Sequence, residues 1–67
     1  MNFKKAYELM KSGARIKCPE WIGFWYWDEK LETIIISTKT GQEFDIRDTT
    51  QVDYTFSFIV REDWETL

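Results

Sequence analysis

The chain has 67 residues, of which 43% are hydrophobic and 31% charged, with three glycines and one proline; this composition indicates one folded domain and excludes disordered, collagen-like and linker sequences. A single cysteine and the absence of histidine exclude an internal disulfide, a histidine-ligated metal centre and the Ser-His-Asp and Cys-His catalytic arrangements. The net charge of −3 is divided into +4 over residues 1–17 and −7 over residues 18–67, which disfavours binding to duplex nucleic acid. We therefore expect a protein that is not an enzyme and has no metal or cofactor.

The size of the chain restricts how it can be stabilised. A domain this small buries only about 60% of the surface of its unfolded chain, so its own core is expected to be marginal. Twelve aromatic residues can supplement that core through dense packing or through contacts between copies, and we expect a small homo-oligomer. The longest apolar run, Trp21 to Trp27, is too short to span a bilayer and no leader pattern precedes it, so neither membrane insertion nor secretion is expected.

The N-terminal segment has the pattern of an amphipathic helix. Four apolar residues follow the spacing i, i+3, i+4, i+7: Phe3, Ala6, Tyr7 and Met10. This spacing predicts a helix over residues 3–12, with Asn2 as its N-cap and Gly13 as its C-terminal stop.

Four later segments have strand patterns, either alternating or rich in β-branched and aromatic residues: residues 14–18, 22–27, 31–38 and 42–47. The last three are joined by Asp28-Glu29-Lys30 and by Lys39-Thr40-Gly41, connections of hairpin length in which Gly41 can adopt a positive φ. They therefore predict a three-stranded antiparallel meander.

The C-terminal part is less distinctive. Residues 54–60 fit a strand by composition and also fit a short helix capped by Thr55, while residues 64–67 are expected to form a short closing strand. The simplest architecture is a single α+β domain over residues 1–67, with an N-terminal helix packed on an antiparallel sheet of four or five strands.

The aromatic segment has two apolar faces if it is extended. Trp21, Trp25 and Trp27 would share one face, and Ile22, Phe24 and Tyr26 the other. One explanation is an interface between subunits. The other is a surface on which a nucleobase stacks, and a pocket between subunits would satisfy both.

Several polar and aromatic residues are candidates to complete such a pocket. Arg15, Lys17 and Arg47 are expected to contact phosphate, and Asp48 to accept hydrogen bonds from ribose hydroxyls. Tyr54 joins Trp21 and Trp25 as an aromatic candidate. Each charged residue has the alternative of simply solvating the surface, and Cys18 is expected to be a small buried apolar group.

The order of these features resembles the second family of Thoeris anti-defence proteins, small phage proteins that are also found in bacterial genomes. The resemblance rests on features near both ends of the chain and on two in its first half: Met1-Asn2-Phe3, Ala6, Leu9-Met10-Lys11, Gly13, Trp21, Gly23 and Asp63-Trp64-Glu65. Family members commonly have a basic residue in place of Cys18 and an asparagine in place of Ile22.

The resemblance implies a phage or prophage immune-evasion protein. Such a protein would sequester a cyclic nucleotide messenger, either a cyclised ADP-ribose or a cyclic dinucleotide, without cleaving it. It would act as a tetramer or dimer in the cytoplasm of the infected bacterial host, with Trp21 in a ligand-contacting position. The alternative implied by one branch of the family is a protein-binding inhibitor of a host defence nuclease such as a type II CRISPR effector.

Overall fold

The computed structural model describes all 67 residues as an α+β fold, with two helices and a five-stranded antiparallel sheet. The elements in chain order are α1 (Phe3–Lys11), β1 (Ile16–Lys17), β2 (Phe24–Asp28), β3 (Thr33–Ser37), β4 (Glu43–Asp45), a 3-10 turn (Ile46–Asp48), α2 (Val52–Ile59) and β5 (Glu65–Thr66). In the strand order β4-β3-β2-β1-β5, the predicted meander of β2, β3 and β4 ends at one edge of the sheet, and the closing strand β5 forms the other edge. Neither helix has the length and hydrophobicity needed to cross a membrane.

Helix α1 begins and ends where its signals predict. The Asn2 side chain accepts a hydrogen bond from the backbone N–H of Lys5 at 2.9 Å, and Gly13 follows the helix with φ of +111°. Ala6 and Met10 are completely buried on the face that packs against the sheet. The apolar spacing therefore decides which side of α1 faces the core.

The sheet register decides which side chains share that core. Ile16 lies opposite Trp25, and both are buried. Because side chains alternate along a strand, the neighbours of Ile16, namely Arg15 and Lys17, point to the opposite side of the sheet. This register separates Arg15 and Lys17 from the face of the sheet that carries Trp25.

All five predicted strands are shorter than expected, and β1 and β4 show two of the reasons. Only Ile16–Lys17 of residues 14–18 is paired, and the strand predicted over residues 42–47 ends at Asp45. There the Asp45 carboxylate accepts a hydrogen bond from the backbone N–H of Arg47 at 2.8 Å and begins the 3-10 turn. Side-chain capping therefore interrupts a pattern that looks like a continuous strand.

Residues 54–60 form most of a second helix, so the helical alternative left open by their sequence is the one that the structure adopts. Helix α2 begins at Val52, which places Thr55 inside the helix and excludes it as the cap. Thr55 is buried, and Phe58 and Ile59 pack against the core, at the spacing i, i+3, i+4 of a helical stripe.

The core lies between the helices and the sheet. Its buried cluster consists of Ala6, Met10, Ile16, Cys18, Trp25, Ile34 and Trp64. The Trp64 indole N–H donates to the Phe58 carbonyl at 3.0 Å, which connects the end of the chain to α2. Cys18 has no exposed surface, as predicted.

Trp21 is not part of a strand, contrary to the expectation that it shares a strand face with Trp25 and Trp27. The strand begins at Phe24, and Trp21 follows a tight turn in which its backbone N–H donates to the Cys18 carbonyl at 3.0 Å. Trp21 therefore reaches the core from a loop.

Candidate ligand-binding groove

A groove of about 520 Å³ lies between the loop of residues 20–23, the end of the β3–β4 hairpin and α2. We call it the aromatic groove, because five aromatic side chains line it: Trp21, Trp25, Phe44, Tyr54 and Phe58. Its volume falls in the range of small-molecule sites, which are mostly apolar with a few polar groups.

Gly23 allows one wall of the groove to lie close to the sheet. A Cβ atom at this position would be 2.3 Å from the Ser37 carbonyl oxygen, far inside van der Waals contact. The absence of a side chain therefore lets the loop of residues 20–23 lie against the end of β3, in the segment that carries Trp21 to the groove.

Four of the five aromatic rings of the groove, those of Trp25, Trp21, Phe58 and Tyr54, form a continuous chain of contacts. The centroid of the Trp21 ring lies 4.8 Å from that of Phe58, with the rings nearly perpendicular. Tyr54 meets Phe58 in the same way at 4.9 Å, and Trp25 lies 5.4 Å from Trp21. Edge-to-face contacts of this kind hold the rings in fixed orientations.

The three aromatic residues predicted for the site differ in how much of their surface is exposed. Tyr54 is 62% exposed and Trp21 is partly buried, so both present ring surface to the groove. Trp25 is only 4% exposed and contacts Phe3, Trp21 and Trp64. The expectation that Trp25 offers a free indole face for stacking is therefore wrong, since core residues occupy that surface.

Three buried residues of the groove have a polar side-chain group without a partner in the chain. The indole N–H of Trp25 and the hydroxyls of Ser37 and Thr55 form no hydrogen bond with protein atoms, although these residues are only 4%, 9% and 7% exposed. No side-chain polar atom in the chain is both fully enclosed and unpaired, so these groups retain some access to solvent. They are candidates for hydrogen bonds to a ligand in the groove.

Charged side chains are few in the groove. Of the lining residues only Glu20 and Lys39 are ionised, and Lys39 takes part in none of the four ion pairs of the chain. Glu20 is bound by Arg61, which is also bound to Asp63. Hydrogen bonds from Arg61 lower the pKa of Glu20 and of Asp63 below their ordinary values.

Arg61 links the two walls of the groove. Its Nη2 atom donates to Glu20 Oε1 at 2.9 Å, its Nε atom donates to Asp63 Oδ1 at 2.8 Å, and its guanidinium lies 5.8 Å from the Phe58 ring centroid. Glu20 and Phe58 both line the groove. We call this arrangement the Arg61 clamp.

The cations predicted to bind phosphate lie outside the aromatic groove. Lys17 pairs with Glu65 at 3.0 Å and also donates to the carbonyls of Cys18 and Pro19. Arg47 pairs with Asp45 at 2.7 Å, and Asp48 ends the 3-10 turn without lining the groove. The structure therefore does not bring these three residues to Trp21.

Arg15 belongs to a second, smaller cavity. Its guanidinium lies 4.9 Å from the Phe24 ring centroid, and both residues line a cavity of about 280 Å³ with Tyr26 and Glu43. The Tyr26 hydroxyl donates to Glu43 at 3.2 Å. Only Trp21, Trp25 and Tyr54 of the predicted site residues meet in one groove.

Four residues line the groove that were not predicted as site residues: Lys39, Phe44, Thr55 and Phe58. The sequence carries one signal for Phe58, because the helical alternative for residues 54–60 places Tyr54 and Phe58 four residues apart on one side of the helix.

Comparison of the chain with protein-family models, with curated proteins and with solved structures gives no match.

Proposed function

We propose that this chain is a binding protein that captures a cyclic nucleotide messenger and does not cleave it. The observation that carries the proposal is the aromatic groove, in which Tyr54 and the exposed part of Trp21 offer ring surface for a base. Stacking of a base on an aromatic side chain is worth about 1 to 3 kcal/mol. The resemblance to the second Thoeris anti-defence family supports a cyclised ADP-ribose or a cyclic dinucleotide as the ligand and a phage or prophage protein acting in the host cytoplasm.

Titration of the purified protein with cyclic ADP-ribose isomers and cyclic dinucleotides tests this proposal. We expect tryptophan fluorescence to change on binding, and the ligand to be recovered intact after heat denaturation. Recovery of an altered ligand would indicate an enzyme and would contradict the proposal. Binding to none of these nucleotides would remove it.

A pair of substitutions localises the binding. Tyr54 and Leu31 are both exposed, at 62% and 52%, but only Tyr54 lines the groove. We expect Tyr54→Ala to weaken binding by about 1 to 3 kcal/mol, because it removes a stacking surface. Leu31→Ala removes a comparably exposed side chain from the β2–β3 turn, and as the control it is expected to leave affinity unchanged.

The proposal includes self-association as a dimer or tetramer. Val52, Phe56 and Val60 are exposed apolar residues at intervals of four, so they lie along one side of α2. Such a stripe suits contact with the same stripe of a second copy. Analytical ultracentrifugation should give a mass above 8.2 kDa for the wild type and a lower mass for Phe56→Ala.

The alternative function, inhibition of a defence nuclease through the acidic surface, predicts a different result. Long-range attraction between an acidic protein and a basic channel weakens strongly with added salt, whereas enclosed binding of a small ligand weakens less. Salt-sensitive binding to a type II CRISPR nuclease without nucleotide binding would favour this alternative.

A further inference from the structure

The charges of the aromatic groove do not suit a phosphate. Lys39 is the one cation among the lining residues; it has no ion-pair partner and is exposed on the β3–β4 turn. The other ionised lining residue, Glu20, carries the same sign as a phosphate and is already bound to Arg61. A site that selects phosphate normally gathers several cations or a bidentate arginine.

The uncharged polar groups of the groove suit a base. The Trp25 indole N–H is a donor only, and the Thr55 hydroxyl can donate or accept. Both residues are more than nine-tenths buried, both line the groove, and neither group has a partner within the chain. The ring nitrogens and carbonyl oxygens of a nucleobase are acceptors that can meet such donors.

We infer that the aromatic groove recognises the nucleoside half of its ligand and leaves the phosphates outside, beside Lys39. This inference rests on the proposed function and specifies which part of the nucleotide is bound. Recognition then depends on the base and its hydrogen bonds, and depends little on the number of phosphates. A nucleoside should therefore compete for the same groove as a cyclic nucleotide.

Titration with adenosine and guanosine, each compared with its 5′-monophosphate and 5′-diphosphate, tests the inference. Because one exposed charge contributes little, we expect the three members of the better-bound series to have dissociation constants within about fivefold of one another. Lys39→Ala should remove the remaining difference in affinity between the nucleoside and its phosphates, and it should leave the affinity for the nucleoside unchanged. Lys30→Ala, the same charge change on the β2–β3 turn, serves as the control and should alter neither affinity.

Two threonine substitutions test the predicted hydrogen bond. Thr55→Val should weaken nucleoside binding about twofold to tenfold without lowering stability, because its hydroxyl has no partner in the free protein. Thr33 is equally buried, but its hydroxyl donates to Asp45 at 2.9 Å. Thr33→Val should therefore lower stability and leave nucleoside affinity unchanged.

The outcomes separate this inference from the proposed function. Binding of a cyclic nucleotide with no competition by nucleosides would overturn the inference alone, as would a spread of dissociation constants beyond about fivefold in which the phosphorylated members bind more tightly. Binding of nucleosides but not of cyclic nucleotides would support the inference and overturn the proposed function. An unchanged nucleoside affinity in Thr55→Val would overturn the predicted base contact.

Discussion

Gly23 and the Ser37 carbonyl lie so close together that no side chain fits between them. Gly23 belongs to the loop that positions Trp21, and Ser37 ends the strand β3 that this loop contacts. The shape of the aromatic groove therefore depends on a backbone contact as well as on the rings that line it.

Gly23→Ala should destabilise the protein by about 1 to 3 kcal/mol, the usual cost of forcing extra volume into a packed site. It should also weaken ligand binding, because the displaced loop carries Trp21. Urea unfolding and ligand titration measure the two effects. Gly41→Ala is the control: its φ is +86° with open space around the added Cβ, so it should lower stability through backbone strain and leave binding unchanged.

Arg61→Gln should lower the midpoint of urea unfolding and weaken ligand binding, because the Arg61 clamp joins the Glu20 wall to α2. Arg47→Gln offers a matched control, since Arg47 makes a comparable bidentate pair with Asp45 away from the groove. Equal binding by both variants would show that the clamp does not position the groove.

The same clamp predicts a pH dependence. Hydrogen bonds from Arg61 lower the pKa of Glu20 and of Asp63 in the folded state. Their stabilising contribution is therefore present above the unfolded pKa values, near about pH 4, and is lost as the pH falls through the folded values. The stability difference between wild type and Arg61→Gln should shrink as the pH is lowered through this range, and a constant difference would contradict the assignment.

Cys18 should be unreactive in the folded protein. Burial raises the pKa of its thiol from 9.0 to about 11, and the thiolate is the reactive form. An aromatic disulfide reagent at pH 8 should modify Cys18 only as fast as the protein unfolds, and urea should accelerate the reaction. Because the folded pKa is raised, the associated stability is present below pH 9 and is lost as the pH rises toward 11.

Glu32 offers a stabilising substitution. It has φ of +52°, a conformation that costs non-glycine residues free energy, at the end of the turn between β2 and β3. Glu32→Gly should raise the free energy of unfolding by about 0.5 to 1 kcal/mol, because glycine adopts this conformation without strain. Glu29→Gly, a neighbouring turn position without positive φ, should give no such gain in thermal or urea unfolding.

Local patterns predicted most of the fold. The caps of α1 and the spacing of Phe3, Ala6, Tyr7 and Met10 determine that helix, and hairpin-length connections determine the meander. The helix at α2 was ambiguous because its apolar and aromatic composition suits both structures. Its burial against the core, which involves residues distant in sequence, decides between them.

The site was harder to predict, because it depends on register and on pairing between distant residues. The pairing of Ile16 with Trp25 sends Arg15 and Lys17 to the side of the sheet away from the aromatic groove. Asp45 binds Arg47 at the end of β4, which no spacing rule reveals. Trp21 and Tyr54 line the groove, and their aromatic character is visible in the sequence, but exposure is set by the fold, as the buried Trp25 shows.

The edge strands of the sheet affect how the chain can aggregate. Edge strand β4 has three residues and edge strand β5 has two, and both carry carboxylates. A strand of another copy that pairs with either edge would form few backbone hydrogen bonds and would bring like charges together. Fibrillar growth is therefore opposed near neutral pH in spite of the high aromatic content, and acid removes part of that opposition.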